Sequence, residues 1–209
     1  MIKLRKNKSR FLLIGSFLIL IGICTYMYKY YNNYRYEKAD EDRVLEFFDK
    51  SDDTIVSSEE VKEEVKEEST TSNYSYTGVL EIPSISFKRG FLKPDDINNN
   101  LNKNIEVLQN SDMPNVENGL LAIAGHSGTG RIAFFKKLHK LKVADPIYIY
   151  YENIKYKYEV VSIYEVEKNG IINVARIKEH FTLVLTTCSM SNPSKQLVVI
   201  SKLIEKIEY

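Results

Sequence analysis

Two residues of this chain can do acyl-transfer chemistry together. Cys188 closes the run TLVLTTC (182–188), and His126 closes the run GLLAIAGH (119–126) before the glycine-containing loop SGTGR. A cysteine becomes a nucleophile once its proton is lost, and a histidine can carry a proton to and from a reacting group near neutral pH. Placed at two strand ends, where loops commonly carry catalytic groups, they form a nucleophile and an acid/base partner. The competing reading of Cys188 is inert packing, because a free cysteine fills space as a small hydrophobe. His139 in KKLHKL reads as a helix-surface residue, and His180, just before the cysteine-bearing run, reads as a turn or cap. A metal site needs more ligands than Cys188 and His126 supply, so neither metal nor cofactor is expected.

Compartment bears on the thiol. Residues 1–10 carry five basic side chains and no acidic one, and residues 11–28, FLLIGSFLILIGICTYMY, carry no charge at all. As a helix the uncharged stretch spans about 27 Å, close to the thickness of a bilayer's hydrocarbon core. Tyrosines and Lys29 at its end suit the membrane interface, and the small-residue cleavage pattern of a secretory signal is missing. The expectation is a single-pass anchor at 11–28 with a cytoplasmic basic segment at 1–10 and the rest of the chain outside. Extracellular cysteines usually pair, but Cys24, the only other cysteine, lies in the anchor and leaves Cys188 alone in its domain.

With 29 basic and 28 acidic residues the chain has no excess positive field, which argues against nucleic acid as a partner. Residues 29–73 are rich in charge and poor in apolar residues, so they read as a linker, partly helical or disordered. The folded domain is expected over 74–209, long enough for one real core. Strand signals dominate it: YTGVLEIPSI, GLLAIAGH, a hairpin PIYIYYENIKYKYEVVSIYEVEKN turning at Glu152-Asn153, FTLVLTTC and QLVVISKLIEKI. Short helices are expected in PDDINNNLNKN, IAFFKKLHKL and NVARIKEH. This mainly β pattern points to a closed or nearly closed barrel with small helical insertions.

These segments resemble the sortases. TLVLTTC is similar to the T-L-x-T-C strand that presents the sortase nucleophile, with one extra residue. AIAGHSGTGRIAFFKKLHKLKVADPIYIY resembles the A-G-H segment with its F-x-x-L-x-x-L and G-D-x-I-x-I continuation, and GVLEIPSISF resembles the opening G-x-L-x-I-P strand. The likeness runs through 76–205 in family order. It implies an eight-stranded barrel and a membrane-anchored cysteine transpeptidase. Cys188 would attack an LPxTG-like C-terminal sorting signal of a secreted protein and form a thioacyl intermediate. His126 would serve the leaving and incoming amines, and an amine of peptidoglycan or of another protein would accept the acyl group.

One position departs from the pattern. Sortases carry an arginine where KQLVV places Gln196, which offers neutral N–H donors but no charge for an oxyanion. Arg131, past the His126 loop, is the other candidate cation, and alternation puts Thr186 on the face of Cys188 as a possible substrate donor. The intact Cys188 and His126 favour an active enzyme. Gln196 keeps open a second reading, a silent module that binds sorting peptides.

Overall fold

The computed structural model describes residues 3–52, 74–170, 172–174 and 176–209. Among the described residues a single α-helix, α1, covers Lys3–Asp52. The chain divides into two compact units, the first ending at Ala39 and the second running Asp40–Tyr209. In the first unit the apolar side chains from Phe11 onward are exposed, as a lipid-facing helix requires. This is the one helix among the described residues long and apolar enough to cross a membrane.

Eight strands build the second unit: β1 Gly78–Ile82, β2 Phe87–Phe91, β3 Glu106–Val107, β4 Leu120–Ala124, β5 Pro146–Tyr151, β6 Ile154–Glu167, β7 Thr182–Cys188 and β8 Lys195–Glu208. They pair in the order β2-β1-β5-β6-β8-β7-β4-β3 and curl into a nearly closed barrel. The β5–β6 hairpin turns at Glu152 and Asn153, both left-handed (φ 49° and 59°), which matches the twist of the flanking strands. Along β5, Ile147, Ile149 and Tyr151 point into the core while Tyr148 and Tyr150 point away. Irregularities near Lys157/Tyr158 and Val160/Ser162 interrupt the register where β6 pairs with β8.

Strand β7 is buried on both faces, which explains its unbroken apolar sequence. Leu183 and Leu185 face the central core with Leu121, Ile123 and Val199. Val184 faces the other way, in a second cluster with Val198 and Ile200, onto which Ile172, Val174 and Ile177 of the β6–β7 connection pack.

Three expected helices do not form. Residues 94–104 make turns, because their side chains bond the backbone in place of a helical ladder: Asp96 accepts from Asn98 N (2.7 Å), Asn100 from Asn102 N (2.8 Å) and Asn99 from Val107 N (2.9 Å). In 132–141 only Leu138–Lys140 is helical, as a 3₁₀ turn, since Phe135 is tied through its N–H to His126 O (2.9 Å) and buried in the core. The described part of 173–180 is irregular, and its apolar residues are spent covering the outer face of β7 and β8.

The compact unit begins ahead of the expected start at Tyr74. Val44, Phe47 and Phe48, at helical spacing in the last turns of α1, pack with Tyr76, Val79, Leu92 and Tyr150. A buried polar latch lies beside them. Asp40 accepts the Tyr76 hydroxyl and pairs with Arg89 (3.3 Å). Arg89 Nε donates to Asn104 Oδ1 (2.6 Å), and Asn104 donates to Gly90 O (2.8 Å). Burial first, then the Asp40 charge, push the Tyr76 phenol well above its ordinary value, so it stays a donor. The glutamate-rich stretch SSEEVKEEVKEES lies outside the described residues.

Candidate active site

The parallel pairing of β4 with β7 sets Ala124 beside Thr186, so the next residues bring His126 alongside Cys188. Several bonds fix this junction. Gly125 N donates to Thr186 O (3.1 Å), Thr187 Oγ1 donates to Gly125 O (2.7 Å), and Ser127 Oγ donates to Cys188 O (2.8 Å). The glycine before the histidine is a steric requirement: a Cβ on Gly125 would lie 2.7 Å from the ring of Phe135, a residue that also bonds back to His126 O through its own N–H.

Both expected chemical groups, Cys188 and His126, are half-buried at this end of the barrel. Across β8, Cys188 stands opposite Gln196, which in turn stands opposite Val166 on β6. Directly paired residues share a face, so Gln196 is the immediate lateral neighbour of the thiol. The same face continues through the pairs Thr186–Val198 and Val184–Ile200. The thiol therefore ends an apolar strip that Ile172, Val174 and Ile177 cover from outside.

Sequence reasoning missed the cation nearest the sulfur. Lys168 Nζ lies 3.3 Å from Cys188 Sγ. Its backbone N–H extends the β6–β8 ladder by donating to Ser194 O (2.8 Å), and alternation from Val166 puts it on the Cys188 face. Arg131 is exposed in the turns after the His126 loop. Thr186 is buried and donates its hydroxyl to Leu197 O (3.1 Å), so its proton is committed within the barrel and not directed at a substrate. His139 and His180 are both exposed, His139 on the 3₁₀ turn and His180 in a turn ahead of β7.

Below the thiol, the β7–β8 connection is pinned by Glu165. Its carboxylate accepts from Ser189 Oγ (2.6 Å) and Ser191 Oγ (3.0 Å). Those two bonds hold it below its ordinary carboxylate value, with a smaller contribution from Lys195. Ser189 Oγ accepts from Ser191 N and Asn192 N (3.1 Å each), giving the turn that sends the chain from Cys188 back into β8.

Residues 80–204 match the model of the sortase domain. The chain belongs to the sortase family. This sortase is 26% identical to Sortase A of Bacillus anthracis over 95% of its own length and 97% of that protein's. Its fold is similar to Sortase A from Corynebacterium diphtheriae, in a lid mutant, with a TM-score of 0.56 and 26% identity over 64% of this chain and 73% of that one. It is also similar to Sortase C of Streptococcus pneumoniae, with a TM-score of 0.55 and 27% identity over 64% of this chain and 71% of that one. The eight-stranded barrel expected from the motifs is thus a sortase barrel, and the protein is a sortase-type cysteine transpeptidase. Cys188 is the one cysteine inside the matched residues, since Cys24 lies in α1.

Proposed function

We propose that this membrane-anchored sortase cleaves an LPxTG-like C-terminal sorting signal of secreted proteins and transfers them to an amine of the cell wall or of another protein. The basic segment at 1–10 would stay in the cytoplasm and the barrel outside. The observation that carries the reading is the junction of β4 and β7, which sets a half-buried thiol beside a histidine at the end of an apolar strip. A sorting signal would approach the half-buried thiol where that covered strip ends and bring its scissile carbonyl to Cys188.

In the first half-reaction the Cys188 sulfur bonds to the carbonyl carbon and the C–N bond breaks, with His126 giving its proton to the leaving amine. In the second, His126 takes a proton from the incoming amine, whose nitrogen displaces the sulfur. The thioacyl intermediate replaces one difficult amide exchange with two easier acyl transfers. Incubating the full chain in detergent micelles with a panel of LPxTG-like peptides should give an acyl adduct on Cys188, read by intact and peptide mass, and none in Cys188→Ala. A second reading, a silent peptide-binding module, is favoured only by Gln196. Peptides that bind without adduct or turnover would establish it and overturn the first.

A further inference from the structure

The contact between Lys168 and Cys188 deepens that reading and rests on it. We propose that Lys168 is the cation of this active site: it stands against the negative charge on the attacking Cys188 sulfur and then against the oxyanion formed on the substrate carbonyl. The geometry comes from three adjacent strands. Cys188 on β7 faces Gln196 on β8, Gln196 faces Val166 on β6, and Lys168 lies two residues beyond Val166 on that face. The Lys168 backbone is fixed through Ser194 O, and its side chain crosses the end of β8 to reach Sγ at 3.3 Å. Gln196, which occupies the position nearest the thiol on β8, brings no charge. The fold therefore draws its cation from the neighbouring strand β6.

The chemistry suits an ammonium. A positive charge at this distance favours the deprotonated sulfur. When the sulfur bonds to the carbonyl carbon, the C=O π pair moves to oxygen, and negative charge shifts from sulfur to an atom bonded to the same carbon. Lysine is a point charge on a flexible stem, so it follows that shift by rotating its terminal methylenes while its base stays anchored. As the carbonyl re-forms, the C–N bond breaks and the amine takes its proton from His126. Lys168 keeps its own protons throughout and is neither acid nor base.

The test uses the full chain in micelles and a neutral alkylating reagent, iodoacetamide, with modification read at Cys188 by peptide mass so that Cys24 does not contribute. Lys168→Gln should slow alkylation at pH 7 about fivefold, the size of a close charge interaction in water, and Lys168→Arg should keep most of the wild-type rate. Raising ionic strength should slow the wild type and leave Lys168→Gln unchanged, because salt screens an exposed pair. In peptide transfer, Lys168→Gln should lower kcat on the order of tenfold to a hundredfold with little change in KM. That is less than the loss of a buried oxyanion donor, since Lys168 is exposed. Equal alkylation rates in wild type and Lys168→Gln would overturn the proposal, as would equal impairment of Lys168→Gln and Lys168→Arg. Failure of the underlying reading looks different. A wild type that forms no acyl adduct defeats the transpeptidation reading, while alkylation still decides whether Lys168 activates the thiol.

Discussion

Arg89 and Lys168 are both cations set against groups that carry or can acquire negative charge, yet the barrel holds them in opposite ways. Arg89 has a side chain only 16% exposed, and its partners are fixed: Asp40 at 3.3 Å, Asn104 at 2.6 Å, and the Phe134 ring at 3.7 Å beneath its guanidinium. Lys168 is exposed and reaches a single sulfur. A cation whose charge is already paired inside the fold stabilises the structure as it stands. A cation left with spare donors can serve charge that appears only during a reaction. The first belongs to the latch between the last turns of α1 and the barrel, the second to the chemistry.

The largest effect that would sharpen this contrast lies at the chemical end. His126→Ala should lower kcat by about 10²–10⁴-fold with little change in peptide affinity, whereas His139→Ala and His180→Ala should remain close to wild type in the same assay. If all three behaved alike, the acid/base assignment would fail. At the structural end, Asp40→Ala leaves Arg89 nearly buried without its charge partner. It should cost about 3 kcal/mol, toward the lower end for a broken buried pair, read as a lowered denaturation midpoint with kcat per folded molecule unchanged. A shift no larger than that of a surface substitution would show that the latch contributes no structural charge pairing and would remove the contrast with Lys168.

A smaller effect tests whether charge at the thiol is interchangeable between β6 and β8. Gln196→Arg should recover much of the single-turnover acylation lost in Lys168→Gln. In the wild-type background it should add little, because the two positions serve one charge and their effects do not sum. Arg131→Ala should leave acylation near the wild-type rate. A large loss in that variant, with none in Lys168→Gln, would move the cation to the His126 loop.

The smallest effect concerns pH. Glu165 sits below its ordinary 4.5 because Ser189 and Ser191 donate to the carboxylate. A group depressed in the folded state contributes above its unfolded value, and that contribution fades as pH falls through the folded value. Amide protection across 189–195, corrected for intrinsic exchange, should therefore weaken on acidification below about 4.5. In Glu165→Gln that pH dependence should be absent.

Much of this was legible in the residues. Apolar runs and alternation located the long strands, and the tyrosines and β-branched residues alternating on either side of Glu152-Asn153 marked the hairpin. Cys188 and His126 stood out as a thiol and an imidazole at the ends of two apolar runs. What stayed hidden depended on pairing. Lys168 became visible only when β6, β8 and β7 were laid side by side, and the register shifts along β6 prevent its face from being counted out from the hairpin. The packing of the last turns of α1 was masked by composition: Val44, Phe47 and Phe48 are three apolar residues in a charged stretch, and only a partner surface shows that they share a stripe. The failed helix at 94–104 had acidic and asparagine side chains that read equally as a helix start or as a series of backbone-capping turns.

The parallel pairing of β4 with β7 also governs when the thiol and the imidazole first meet. Gly125 and Thr187 bond across 62 residues of sequence, so the contact cannot form until the long intervening segment has been folded back. Non-local contacts of this kind are late and slow, because loop closure must precede any reward. In an unfolded chain His126 and Cys188 are therefore far apart, and they come together only once the strands on both sides of β7 are in place. The barrel's topology acts as a timer for that juxtaposition, which arrives only with the folded sheet.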